Sequence, residues 1–181
     1  EDAYVEPEAT EWEAPNSVEL LTRWLTPGSD EAHPVTARVV FTGSDEGAIE
    51  IDRRYPTGVY AAAFWQHVRA LHDSAVAWSD GFRGNFHHYL NSATVDGERC
   101  PTSQHAAKES DSVLNNARWA AERIFPLPTT VNKDGTQFME AHFKPTWRDT
   151  FAPRMYYYDD LGNTGKIYIG YIGRHLTNTQ S

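Results

Sequence analysis

The last third of the chain contains three successive segments with the residue pattern of β-strands. They are Gln137 to Lys144 (QFMEAHFK), Arg154 to Tyr158 (RMYYY) and Lys166 to Ile172 (KIYIGYI). The second and third segments are joined by a polar loop, 159–165, that contains two glycines. Such a loop favours an antiparallel hairpin, so the end of the chain is predicted to form adjacent strands of one sheet.

The middle of the chain has apolar residues at helical period. An apolar stripe predicts that the longest helix runs from about Val59 to Trp78. The residues of this stripe are Val59, Ala63, Phe64, Val68, Leu71, Ala75 and Trp78. A cap at Asn16 or Ser17 predicts a shorter helix near the start. A cap at Ser110 or Asp111 predicts a further helix. A short polar side chain caps a helix because it accepts hydrogen bonds from the free backbone N–H groups at the helix start.

Two further strand patterns lie before the long helix. The segment 36–41 (TARVVF) and the segment 48–51 (AIEI) flank a turn and predict a hairpin. Strands at both ends around central helices are typical of an α+β fold, with an antiparallel or mixed sheet and helices packed on one face. Strict alternation of strands and helices, which would indicate a doubly wound sheet, is missing.

The composition of the 181 residues predicts one folded domain. A chain with 40% hydrophobic and 13% aromatic residues is too rich in core-forming residues to be disordered. Residues 1–15 are acidic and flanked by proline, and we expect them to form a loosely attached or disordered arm before a single α+β domain at 16–181. Because the chain starts at Glu1 and not at methionine, we interpret it as a fragment of a longer protein.

The formal net charge of −9 makes generic nucleic-acid binding unlikely, because an acidic surface repels phosphate backbones. The single cysteine, Cys100, excludes an internal disulfide and favours a cytoplasmic protein. The sequence contains no run of about 18 apolar residues, so no membrane span is predicted. Motifs for a serine nucleophile, a zinc protease, a phosphate-binding loop or a dinucleotide fold are also missing, so we expect neither a cofactor nor a metal.

The first candidate site lies on the segment QFMEAHFK. Side chains of a strand alternate between its faces, so Glu140 and His142 are predicted to be neighbours on one face. A carboxylate beside an imidazole can orient a general base or contribute to a metal site. The alternative interpretation is an ordinary solvated strand face, which is typically polar.

The second candidate site is an aromatic and basic surface on the C-terminal hairpin. Tyrosine faces offer stacking area for a nucleotide base or a peptide, and an arginine fork fixes a phosphate or carboxylate. Lys166, Tyr168 and Ile172 are predicted to share a face by alternation. The candidate ligand-binding residues are Arg154, Tyr156, Tyr158, Tyr168, Arg174 and His175. The alternative is that the tyrosines are present as good strand formers.

The histidine-rich middle gives a weaker signal. His105 and Glu109 would share a helical face and suit a metal pair, if a helix began before them. We favour Ser110 and Asp111 as helix caps instead, which places Glu109 outside the helix. Cys100 lies in a predicted loop with no spatial partner that would make it a nucleophile.

Several segments resemble motifs in the C-terminal domains of uncharacterised actinobacterial proteins, some of which look like parts of conflict or defence systems. These segments are HAAKESDSVLNNARWAAERIFPLP, FMEAHFKP, PRMYYYDD and GKIYIGYIGRHLTNT. The resemblance covers the chain from about Tyr55 to its end. It implies a C-terminal module of a larger protein and identifies no catalytic residue.

Three functions stay open from the sequence. The favoured one is a module that binds a protein or a nucleotide-like ligand through the C-terminal hairpin. The first alternative is a hydrolase of a nucleotide or nucleic-acid phosphodiester, in which Glu140 and His142 act as base or metal ligands and Arg154 or Arg174 stabilises negative charge. The second alternative is an oligomerising structural domain, because the six tryptophans would suit an interface.

Overall fold

The computed structural model describes residues 9–146 and 150–179. The α-helices are α1 (Val18–Trp24), α2 (Glu46–Arg54), α3 (Val59–Ser79), α4 (Phe86–Leu90), α5 (Asp111–Leu114) and α6 (Ala117–Ala121). The strands are β1 (Val39–Phe41), β2 (His105–Ala106), β3 (Ile124–Pro126), β4 (Thr136–Phe138), β5 (His142–Phe143), β6 (Arg154–Asp160) and β7 (Lys166–Gly173). Short 3₁₀ helices cover Ala9–Trp12, Pro34–Ala37 and Thr102–Gln104.

Five strands form a mixed sheet in the order β1-β7-β6-β5-β2. The predicted C-terminal hairpin is confirmed, since β6 and β7 pair antiparallel over their full lengths. Strand β1 runs parallel to β7 at one edge, and β5 and β2 extend the antiparallel part at the other. Strands β3 and β4 form a separate antiparallel pair. The α+β class and the mixed sheet are therefore as predicted.

Each face of the large sheet has its own covering. One face, here called the helix face, packs Met155, Tyr157 and the β7 isoleucines against α1, α2 and α3. The opposite face, here called the hairpin face, packs Tyr156 and Tyr168 against Phe125 and Leu127, which belong to β3 and to the residue after it. The sheet is thus buried on both sides, and its hairpin face is covered by the chain's own β3–β4 pair.

The predicted hairpin between segments 36–41 and 48–51 is wrong. The second segment lies within helix α2, where Ala48 and Ile51 are three residues apart and both are buried. The Asp52 carboxylate on the same helix accepts hydrogen bonds from the backbone N–H groups of Val18 and Glu19, at 2.8 and 2.9 Å. These bonds satisfy the start of α1, so the contact between two helices overrides the local strand propensity.

The segment QFMEAHFK is also not one strand. Strand β4 ends at Phe138 and pairs with β3, whereas β5 begins at His142 and pairs with β6. The residues between them cross from the small sheet to the large one. Alternation along a single strand therefore does not relate Glu140 to His142.

A β-bulge at Gly170 changes which residues of β7 face each layer. Tyr156 pairs with Tyr171 and Tyr157 pairs with Ile169, so Gly170 is the extra residue. Beyond the bulge the alternation is inverted: Ile172 lies on the helix face, and Tyr171 joins Tyr168 on the hairpin face. The prediction that Ile172 shares a face with Tyr168 is wrong for this reason.

Part of the predicted N-terminal arm packs on the domain. Residues 1–8 lie outside the described residues, but the carbonyl of Trp12 accepts a hydrogen bond of 2.8 Å from Trp65 Nε1. The Trp65 ring packs against the rings of Trp12 and Trp24, with centroid distances of 5.3 and 5.2 Å. In the described ranges, no helix combines the length and the apolar character required to cross a membrane.

We expect Gly170→Ala to destabilise the domain by about 1–3 kcal/mol. An added Cβ would lie 2.6 Å from Phe125 Cβ and 2.7 Å from Met139 Sδ, so the β3–β4 pair would have to move. Urea unfolding followed by tryptophan fluorescence measures the effect. Gly162→Ala is the matched control, because its nearest neighbour, a Trp78 ring atom, would be at an ordinary 3.7 Å. Equal stabilities of the two variants would contradict the packing argument.

Candidate functional site

Glu109 is the centre of a group of buried polar side chains on the hairpin face. Its Oε1 accepts a hydrogen bond of 2.6 Å from the Tyr156 hydroxyl and lies 3.3 Å from His142 Nδ1. Its Oε2 lies 3.4 Å from Arg123 Nη2. The Glu109 backbone N–H donates to Glu140 Oε1 at 3.1 Å. We call Glu109, Arg123, Glu140, His142 and Tyr156 the polar cluster.

The local sequence explains how Glu109 reaches the sheet. Ser110 caps α5, and its hydroxyl accepts a hydrogen bond from the Val113 backbone N–H, as the capping prediction stated. Glu109 therefore precedes the helix, and its side chain turns toward β5 and β6. The alternative metal pair of His105 and Glu109 does not form, because His105 contacts Tyr157 on the helix face while Glu109 contacts Tyr156 on the hairpin face.

Two charged members of the polar cluster, Arg123 and Glu109, are almost completely buried, whereas Glu140 is half-buried. The Arg123 side chain is 1% exposed and the Glu109 side chain 6%. Arg123 also donates from Nη1 to the Trp119 carbonyl at 3.0 Å, while its Nε has no hydrogen-bond partner among the residues that the structure describes. A buried charge is costly unless it is paired, so each of these two side chains depends on the other.

His142 is neutral and fixed in orientation. Burial lowers its pKa below the ordinary 6.5, and the positive charges of Arg154 and Lys144 lower it further. The hydrogen bond to the Glu140 carbonyl and the charge of Glu109 oppose this shift. Nδ1 lies 2.8 Å from the Glu140 backbone carbonyl, which can only accept, so Nδ1 carries the proton. The contacts of the ring with Glu140 and Glu109 both involve Nδ1, and in the neutral ring Nε2 is then unprotonated. Such a nitrogen can accept a proton or bind a ligand.

Tyr156 connects the sheet to this arrangement. Its ring stacks on the His142 ring with centroids 4.5 Å apart, and its hydroxyl donates to Glu109. Burial raises its pKa well above the ordinary value, and the bond to Glu109 acts in the same direction. The phenol therefore stays protonated and acts as a hydrogen-bond donor at neutral pH.

Arg154 lies beside the polar cluster at the start of β6. Its Nη1 donates to the backbone carbonyls of Thr146, Ala152 and Pro153, at 3.0 to 3.2 Å. Ala152 has a φ of 40°, a left-handed backbone conformation that residues other than glycine rarely adopt. The guanidinium is thus held by the loop before β6, and burial lowers its pKa without removing its charge.

The other predicted ligand-binding residues do not form an open stacking surface. Tyr168 is 5% exposed and Tyr156 2%, because the β3–β4 pair covers them. Tyr158 is half-buried in the same layer. The expectation that these rings are available as an exposed platform is therefore wrong, although a role for Tyr156 through its hydroxyl stays a prediction.

Arg174 and His175 lie apart from the polar cluster. Arg174 is exposed and donates to both oxygens of the Glu50 carboxylate, at 3.0 and 3.2 Å. Together with His175, Glu122 and Tyr171 it lines a cavity of about 350 Å³ near the end of β7. Of the four residues of the predicted hydrolytic site, the structure thus brings together Glu140, His142 and Arg154 and leaves out Arg174.

Two members of the polar cluster could not be identified from sequence. The sequence indicated Glu109 only as a possible metal partner of His105, and no local pattern indicated Arg123. The reason is that their contacts join segments that are distant along the chain. Cys100 is buried, and burial raises the pKa of its thiol to about 11, which makes it a poor nucleophile. Within the described ranges, no group of three or more His, Cys, Asp or Glu side chains is arranged to hold a metal ion.

No known family model matches the chain, and no curated protein or solved structure shows significant similarity to it. The resemblance to actinobacterial C-terminal domains stays a prediction.

We expect Glu109→Gln to destabilise the fold by about 3 kcal/mol, because it leaves the Arg123 charge buried without a counter-charge. Chemical unfolding at pH 7 measures the loss. Glu31→Gln is the matched control: it breaks an ion pair with Arg23 whose side chains are 49% and 46% exposed, and it should change stability by less than about 1 kcal/mol. Equal effects of the two substitutions would show that the buried pair has no special role.

Proposed function

We propose that the chain is a binding module for an anionic, nucleotide-like ligand, which contacts His142 and Arg154 at the border of the polar cluster. The observation that carries the proposal is that positive charge converges on a neutral, oriented imidazole. Arg154 and Lys144 lie close enough to His142 to lower its pKa. A phosphate placed there would accept hydrogen bonds from arginine and would balance the two cations.

The polar cluster supports this role by fixing the binding groups in advance. Glu140 and Glu109 hold the His142 ring from the Nδ1 side, and the loop carbonyls hold one end of the Arg154 guanidinium. Groups that are already immobile lose little entropy when a ligand binds. Charged groups with perturbed pKa values that are brought together in this way are typical of functional sites.

Binding is tested by isothermal titration with AMP and with inorganic phosphate. We expect His142→Gln and Arg154→Met each to weaken binding by roughly tenfold or more, since each removes a ligand contact. Arg53→Met removes an equal charge from the exposed end of α2 and serves as the control. If neither anion binds the parent chain, or if all three variants bind equally, the proposal is wrong. Thermal unfolding verifies that the variants are folded.

A second candidate function, hydrolysis of a phosphodiester, is favoured by the orientation of His142. With Nδ1 protonated and held by oxygen atoms, Nε2 is placed to take a proton from water. The water oxygen would then attack phosphorus, the P–O bond to the leaving group would break, and Arg154 would stabilise the negative charge that develops. This scheme keeps His142 as the base. The groups that orient its ring are the Glu140 backbone carbonyl and the Glu109 carboxylate, in place of the predicted Glu140 carboxylate.

Hydrolysis is tested with bis(4-nitrophenyl) phosphate and a dinucleotide. We expect His142→Gln to lower kcat by roughly 100-fold or more with little change in KM. The rate should fall on acidification with a midpoint below pH 6.5, because the base is active only when unprotonated and its pKa is lowered. Absence of turnover by the parent chain would remove hydrolysis and leave the binding proposal intact.

The oligomerisation hypothesis gains no specific support from the described residues. Their exposed large apolar side chains are Val59, Leu114 and Ile124, which lie on three different elements. Trp65 belongs to the core, and Trp12 and Trp24 pack against it.

A further inference from the structure

A cleft of about 370 Å³ lies beside the free edge of β6. Strand β5 pairs with β6 only at Met155 and Tyr156, followed by one bond from the Tyr157 N–H to the Ala141 carbonyl. Strand β6 continues to Asp160, while the chain before Ala141 diverges toward the small sheet. The cleft opens where these two segments separate, and α4 closes its other side with Asn85, Phe86 and His87.

The charged side chains that line the cleft, apart from histidine, are both acidic. Glu140 uses Oε1 to accept from the Glu109 N–H, and Asp159 uses Oδ1 to accept from the Leu161 N–H. These hydrogen bonds use one oxygen of each carboxylate. His105 also lines the cleft, and burial lowers its pKa to about 4, so it adds no positive charge at pH 7.

Four of the remaining residues that line the cleft are phenylalanine or tyrosine. Phe86, Phe138, Tyr157 and Tyr158 line the cleft together with Met139 and Ala141. Aromatic faces attract organic cations, and the attraction is larger where water is partly excluded. Two acidic groups above aromatic walls therefore favour a positively charged group that carries an apolar stem.

We propose that this cleft binds a primary alkylammonium group. An organic cation fits better than a metal ion, because the described residues offer no cluster of three or more metal-ligating side chains and the cleft has room for a carbon chain. The ammonium head lies between Glu140 and Asp159, and the alkyl stem lies along the aromatic walls. The ligand is either a free diamine or the side chain of a lysine on another protein, which share this chemistry.

This site extends beyond the proposed anion site, and the two have opposite charge preferences. Glu140 borders both: it is one of the residues that line the cleft, and its backbone carbonyl orients His142. The cleft itself contains neither His142 nor Arg154. Failure of one proposal therefore leaves the other standing.

The test is an NMR titration of the parent chain with cadaverine and with Nα-acetyl-lysine amide, with glutarate as the anionic comparison. We expect saturable shifts of the Ala141, Tyr157 and Tyr158 amides with at least one of the two amines and not with glutarate. Stronger binding of the lysine derivative identifies a protein side chain as the ligand, and stronger binding of cadaverine identifies a free diamine. If neither amine binds, the proposal is wrong.

Variants separate the cleft from general attraction to a chain of net charge −9. Glu140→Gln and Asp159→Asn should each weaken amine binding by roughly tenfold. Asp30→Asn removes the same charge from an exposed loop and should leave binding unchanged. Ala107→Phe changes no charge and fills the cleft, so it should abolish binding in a chain that circular dichroism shows to be folded. Equal affinities for all four variants would overturn the proposal.

Discussion

The pairing of β6 with β7 is the interaction on which the rest of the structure depends. These two strands form the centre of the large sheet. Strand β1 is added beside β7, and strands β5 and β2 are added beside β6. The bulge at Gly170 sets the register so that Tyr156, Tyr168 and Tyr171 face one layer, while the isoleucines of β7 face the other. Without that extra residue, the end of β7 would present Ile172 to the polar side.

The layer built on the tyrosine side is where the polar chemistry collects. Phe125 of β3 and the flanking residues Leu127 and Met139 pack over Tyr156 and Tyr168. The Glu109 and Arg123 side chains are buried beside Tyr156. Water is largely excluded there, which strengthens each charge interaction and lowers the pKa of His142. The same desolvation that makes the cluster costly to bury makes its imidazole neutral and its geometry fixed.

The two proposed sites follow from this arrangement on neighbouring parts of the sheet. The proposed anion site uses Arg154 and Lys144 near His142, whereas the proposed cation site uses Glu140 and Asp159 in a cleft with aromatic side chains. Both proposals depend on the shortness of β5, which begins only at His142, so that the edge of β6 beyond Tyr157 is left open. A sequence motif would not reveal either, since each site combines residues from separate segments.

The sequence by itself determined the elements whose signal is local. The period of apolar residues defined α3, the polar glycine-containing loop defined the C-terminal hairpin, and Ser110 defined the start of α5. Local patterns suffice there because one face of a helix or one turn is specified by residues close along the chain.

Only the tertiary structure decided the rest. It placed Ala48 and Ile51 in a helix against α1, divided QFMEAHFK between two sheets, and buried Tyr168 beneath a hairpin. It also brought Glu109 to Tyr156 across 47 positions of sequence and paired Arg123 with the same carboxylate. Such contacts are selected by the burial of side chains from distant segments, and the free energy of that burial exceeds the propensity of any short segment.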